Sequence, residues 1–261
     1  MNKFFHPYHL VSESPWPLFG SFSLSIMMVG TIKWFNFYTM DLFILGFILL
    51  IFILIQWWRD VIRESTFQGN HTMMVMKGLR MGMILFILSE LMFFVSFFWT
   101  YFHMFLSPSV EIGSLWPPKE ILIFNPLNIP LLNTLILLSS GVSITWCHYS
   151  ILNDNYSNSI LSIFFTLLLG VLFIFFQYLE YNESFFSMSD SVYGSIFFMA
   201  TGFHGLHVII GTFFIFVSFF RLLQMHYSNF HHFGFESASW YWHFVDVVWL
   251  FLYIFIYWLS Y

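Results

Sequence analysis

Charge is scarce in this sequence. Asp, Glu, Lys and Arg make up 8% of its 261 residues, against about 25% in an ordinary soluble domain. A soluble fold of this length could not cover its surface with so few. The formal net charge of -5 also excludes the basic excess that binds nucleic acid through phosphates, so no nucleic-acid partner is expected. Cysteine is nearly absent too: Cys147 is the single one, which excludes a disulfide framework and any Cys-based zinc or iron–sulfur site. The sequence lacks a Gly-rich phosphate loop, a nucleophile elbow and paired carboxylates within one apolar run, so a self-contained enzyme is not expected. Near the N-terminus there is neither an Arg- and Ser-rich amphipathic pattern nor a short apolar signal core, and no cleaved leader is expected.

Apolar residues fill the space that charge leaves. They account for 59% of the chain, with 24% aromatic and 39 Phe, a bias that also suits AT-rich coding. Such a composition reads as a polytopic membrane protein of the all-α class, because a spanning helix needs roughly 20 mostly apolar residues. Seven runs qualify, at residues 17–35, 42–58, 78–106, 130–152, 159–181, 192–223 and 239–258. The last run has Trp240 and Trp242 at one end and Tyr257 and Trp258 at the other. Trp240 and Trp258 are about 27 Å apart at 1.5 Å per residue, close to a hydrocarbon core of about 30 Å. Aromatic belts at both interfaces are the expected anchors.

Basic residues orient the bundle. With the N-terminus inside, Lys3, Arg59, Arg63, Lys77, Arg80 and Arg221 fall on the inner side, and only Lys33 and Lys119 outside. The positive-inside rule therefore favours an inner N-terminus, an outer C-terminus and an odd number of spans. The acidic loop residues Asp41, Glu111, Glu120, Glu183 and Asp190 fall outside. No internal repeat is evident. The polar stretch 59–77 separates two helices from five and is the expected place for the bundle to open. The stretch 107–128, with Trp116-Pro117-Pro118 and Asn125-Pro126, reads as an ordered, turn-rich loop.

Ionisable residues inside the spans are the candidates for chemistry. Glu90 lies deep in the third run, flanked at helical spacing by Phe86, Ile87, Phe93 and Phe94. A charged carboxylate there costs several kcal/mol, so it needs either a proton or a partner on another helix. It reads as a proton relay or gate, or else as a neutral acid in one interhelical hydrogen bond. His204 and His207 share a face at i, i+3, among Gly202, Gly205 and Gly211, which would let another helix approach. His243 and Asp246 repeat that spacing, and a hydrogen bond between them is expected. A metal would need three or four convergent ligands, which these spacings do not supply, so no metal is assigned and interhelical hydrogen bonding is the reading taken. Arg59 and Arg63 fall at i, i+4 below Trp57-Trp58, with His71 and Arg221 on the same side. Two forked guanidiniums at headgroup level suit a lipid phosphate, although they are also ordinary positive-inside anchors.

Several segments taken together resemble the cytochrome c oxidase subunit 3 family, the mitochondrially encoded third core subunit. They are His6-Pro7-Tyr8-His9-Leu10-Val11, Ser14-Pro15-Trp16-Pro17-Leu18, residues 56–69 (QWWRDVIRESTFQG), Ser89-Glu90 and Trp116-Pro117-Pro118. Residues 140–146 (SGVSITW), 201–212 (TGFHGLHVIIGT), 231–236 (HHFGFE) and 240–253 (WYWHFVDVVWLFLY) complete the set. The resemblance implies one transmembrane domain over residues 1–261, with a two-helix unit over about 1–70 and a five-helix unit over about 71–261 around a V-shaped, lipid-filled cleft. It implies lipid contacts at Trp58, Arg59, Arg63, His71, Glu90 and Arg221, and phospholipids as ligands. It places haem a, haem a3 and copper in partner subunits 1 and 2, with no redox centre on this chain. The complex it implies passes electrons from cytochrome c to oxygen and pumps protons across the mitochondrial inner membrane. This chain would stabilise the catalytic subunit and support proton uptake or oxygen access, among further accessory subunits. Glu90, His204, His207, His243 and Asp246 stand as the buried ionisable candidates. The Phe-, Ile- and Met-rich spans point to an AT-rich invertebrate genome. Two competitors remain: an autonomous proton or solute transporter working through Glu90 and the histidines, and a haem-bearing redox enzyme.

Overall fold

The computed structural model describes residues 7–110 and 113–261. Lys3, His6 and Glu111, used above in the charge count and the motifs, lie outside the described residues. Among the described residues there are seven long helices and no strand: α1 (Trp16–Phe37), α2 (Asp41–Thr66), α3 (Met73–Leu106), α4 (Ile129–Leu152), α5 (Tyr156–Asn182), α6 (Val192–Leu223) and α7 (Phe233–Leu252). The last runs on into one π-helical turn, Tyr253–Trp258, and each helix is long and apolar enough to cross a membrane. Most are apolar on all sides, as helices immersed in lipid are.

Apolar runs located the helices, and local polar chemistry set their ends. Proline occupies the first turn of α1 and of α4, where its missing N–H would have no partner. Asn155 and Ser191 cap α5 and α6, their side-chain oxygens accepting from the amides of Asn158 and Gly194. Two helices outrun their apolar stretches. α2 continues two turns past Trp58 to Thr66, and α7 begins at Phe233 rather than at residue 239. The polar stretch 59–77 is therefore mostly helix, with a connection of only residues 67–72.

The chain divides into two compact units, Met1–Leu79 and Arg80–Tyr261. In the first, α1 and α2 form a tight hairpin. Gly30 lies against the backbone of Leu42 and Phe43, and Gly46 against Met27, where an added Cβ would sit 2.7 Å from the Met27 nitrogen. Without a hydrophobic force between helices in lipid, such close backbone approach supplies the packing. Polar ties close both ends of the hairpin. Lys33 Nζ donates to the Asp41 carboxylate at 2.6 and 2.8 Å, and Trp16 Nε1 donates to Asp60 Oδ2 at 2.6 Å.

In the second unit α7 is the most buried helix, packed on α4 and α6, while α5 also packs on α4 and α6. Trp242 and Trp249 are fully buried. Trp242 Nε1 donates to Ser140 Oγ at 2.9 Å, and Trp249 meets Phe173 edge to face at 4.9 Å. From residue 80 on, α3 joins this core through Phe86 on Tyr241, Phe93 on Phe203 and Phe98 on Phe255. In the described part of the loop before α4, Trp116 is wedged between Tyr101 and Tyr193. The π turn brings Tyr257 OH within 2.5 Å of Glu180 Oε1, and Ser260 Oγ within 2.7 Å of Tyr101 OH.

Candidate functional site

Glu90 stands at the midpoint of α3, and it has a partner on another helix, one of the two outcomes its apolar surroundings allowed. His207 Nε2 on α6 lies 3.0 Å from Glu90 Oε2. The other ring nitrogen, Nδ1, donates to the Phe203 carbonyl at 2.7 Å, because a carbonyl can only accept. That fixes the ring, and the Glu90–His207 bond then holds one proton, carried either by the carboxyl or by the imidazole. Phe94, Tyr241 and Phe244 surround the imidazole. A polar pair in such apolar walls is worth more than in water, since each partner would otherwise be left unsatisfied.

The other spanning candidates behave differently from the sequence expectation. His204 is fully buried, yet neither ring nitrogen meets a hydrogen-bond partner among the described residues; the ring packs between Phe173 and Trp249 instead. Interhelical hydrogen bonding therefore describes His207 but not His204. His243 Nδ1 and Asp246 Oδ2 are 3.8 Å apart, an ion-pair distance too long for the expected hydrogen bond. Asp246 turns toward Gly141 of α4, where its carboxylate occupies the space a Cβ would need. Of the three glycines expected to admit a helix, Gly211 lies under Trp242 and Gly202 faces the Tyr181 hydroxyl, whereas Gly205 opens onto an apolar groove between α5 and α6.

The basic candidates sit at helix ends. Because α2 runs on to Thr66, Arg59 and Arg63 do share a helical face, both exposed, the first directly after an exposed Trp58 and the second one turn further on. Arg59 is tied to its neighbour Asp60 at 3.2 Å. His71 is half-buried in the connection to α3. In the second unit, Arg221 ends α6 with its guanidinium 4.6 Å over the Tyr227 ring and packed against Gly234. Burial first, and then the Arg221 charge, pulls the neighbouring His226 below the ordinary histidine value.

Two polar groupings escaped the sequence reading. Glu180 on α5 is fully buried, accepting from Tyr257, and one turn earlier Gln177 accepts from Asn133 Nδ2 at 3.4 Å. Gln177 and Glu180 at i, i+3 were the available signal. At the opposite end of this unit, His148 of α4, His232 before α7 and Glu236 of α7 converge. His232 and Glu236 stand at i, i+4, but no local spacing reveals His148, which lies 84 residues before His232.

The comparisons with known proteins agree with this architecture. A family model described as cytochrome c oxidase subunit III matches residues 6–261. The chain is 59% identical to cytochrome c oxidase subunit 3 of Drosophila melanogaster, across 97% of both chains. It is 59% identical to that of the sea star Pisaster ochraceus and 57% to that of the antelope Damaliscus lunatus, again over 97% of each. Full-length agreement at this level, on seven apolar helices, means that the chain belongs to the cytochrome c oxidase subunit III family and is a core subunit of that oxidoreductase.

Proposed function

We propose that this chain serves the oxidase without a redox centre of its own, in the mitochondrial inner membrane, with its N-terminus in the matrix and its C-terminus in the intermembrane space. Haem a, haem a3 and copper belong to partner subunits 1 and 2. The chain binds phospholipids, stabilises the catalytic subunit, and supports proton uptake or oxygen access to it. The observation that carries this reading is the combination of apolar spans with basic groups held at helix ends. Trp58, Arg59, Arg63 and His71 offer cationic and interfacial contacts on the first unit, and Arg221 does so on the second. A guanidinium at headgroup depth suits a lipid phosphate. Glu90, tied to His207 in mid-helix, is the group on which a buried proton would be held.

Lipid analysis of the intact complex tests the reading. Arg59→Gln, Arg63→Gln and Arg221→Gln together should strip anionic phospholipid from the purified oxidase and shorten the time for which it sustains turnover. Unchanged lipid content with unchanged turnover lifetime would overturn it.

A further inference from the structure

His148, His232 and Glu236 present one donor atom each within 4.8 Å of one another. His148 Nε2 and His232 Nε2 are 3.3 Å apart, and His232 Nε2 lies 3.4 Å from Glu236 Oε1. Tetrahedral zinc, with ligand bonds of about 2.0–2.2 Å, sets its donor atoms about 3.3–3.5 Å from one another. Two of the three edges therefore already have the length that a zinc ion would impose.

The hydrogen bonding around His232 favours a cation. Its Nδ1 lies 3.0 Å from the Ser228 carbonyl and must donate to it. In the neutral ring this leaves Nε2 as a bare lone pair aimed at a second imidazole nitrogen and a carboxylate oxygen. Such backing of the far ring nitrogen is how metal-ligating histidines are commonly oriented. Glu236 is also held from behind. Arg80 donates from Nε to Oε2 at 3.1 Å and from Nη2 to Oε1 at 3.2 Å, and a carboxylate has lone pairs enough to accept these and still bind a metal.

Access and competition fit as well. His232 is buried, while His148 is half-buried and the Glu236 side chain is 13% exposed, so the cluster opens on one side. The adjacent thiol does not join it, because Cys147 Sγ donates to the Ser159 carbonyl at 3.4 Å.

From this geometry we infer that His148 Nε2, His232 Nε2 and Glu236 Oε1 form a binding site for a zinc-class divalent cation, with a fourth position left for water. Two histidines and a glutamate are an established donor set for such a three-ligand site. The site is independent of the lipid reading above, since it uses none of those residues.

The test is zinc binding by the full chain in lipid nanodiscs, titrated with zinc chloride and examined by X-ray absorption. One zinc per chain is expected, in a shell of two imidazole nitrogens and a carboxylate oxygen at about 2.0–2.2 Å. His148→Gln, His232→Gln and Glu236→Gln should each weaken binding at least tenfold. His103→Gln, at an exposed histidine elsewhere, should leave it unchanged. Circular dichroism identifies any variant that has lost its helices, and the unaltered chain's absorption spectrum then decides. The inference is overturned if the unaltered chain binds no zinc, if its shell lacks two imidazoles, or if a fully helical His148→Gln/His232→Gln double variant keeps its affinity.

Discussion

The imidazole of His207 on α6 and the carboxyl of Glu90 on α3 share one hydrogen bond of 3.0 Å, and a single proton occupies it. Two helices are thereby joined at mid-span by groups that lipid cannot satisfy. Replacement should follow hydrogen-bonding capacity rather than charge. Glu90→Gln can still donate to His207 Nε2 and should leave thermal stability nearly unchanged. Glu90→Leu leaves a buried ring nitrogen unpaired and should lose about 1–3 kcal/mol. Unfolding of both variants in one detergent would decide, and equal losses would show that the bond is not what holds the helices.

The α1–α2 hairpin depends on Gly30 and Gly46 having no side chain, because backbone of the facing helix occupies the space of a Cβ at each. Gly46→Val should force the helices apart and destabilise the hairpin by about 1–3 kcal/mol, as overpacking does. Gly78→Ala is the control, since an added methyl there meets nothing within 4 Å. Thermal unfolding that ranks the two equally would refute the packing argument.

Tyr257 and Glu180 form a buried pair at 2.5 Å. A double-mutant cycle with Tyr257→Phe and Glu180→Leu, each of which removes the bond, should return a coupling of about 0.5–3 kcal/mol. The single variants alone would not isolate it, because each leaves the other group buried and unpaired. A coupling indistinguishable from zero would mean that the contact is incidental.

Asp190 precedes α6, and its carboxylate accepts from the Ser187 amide at 2.7 Å. That bond holds its pKa below the ordinary aspartate value. A depressed carboxyl stabilises the folded turn above the unfolded pKa, and loses that contribution as pH falls through the folded one. Amide-exchange protection at Ser187 should therefore be flat from pH 7 to 5 and decline below about pH 4. Asp190→Asn should remove the decline, and protection that is indifferent to pH in the unaltered chain would contradict the assignment.

How much of this could be read beforehand varied with range. The seven helices were legible because each carries an apolar run of membrane length. The last two turns of α2 and the first turns of α7 were not, because hydropathy reports where lipid ends and not where the helix ends. Arg59, Arg63 and Glu236 lie in those polar extensions. That Glu90 needed a partner or a proton followed from its apolar neighbours, but that the partner was His207 rather than His204 depended on which way each ring turned. Glu180 was overlooked because Tyr181, Asn182 and Glu183 make it look like a span end. The meeting of His148 with His232 and Glu236 depends on how α4 packs on α7, and no local pattern encodes that.

The π turn at the end of α7 sets which way the last side chains of this unit point. Its closing bond runs from the Leu259 amide to the Ile254 carbonyl, one residue wider than in an α-helix. The extra residue sets the angular phase of everything after it. Closing this turn to α geometry with the residue count unchanged would swing Tyr257 and Ser260 round the axis, by about 100° at its end. Glu180 and Tyr101 would then face apolar neighbours in their place. The wider turn is thus what keys Tyr257 and Ser260 to Glu180 and Tyr101, and the C-terminal segment works as a fitting whose pitch matters as much as its composition.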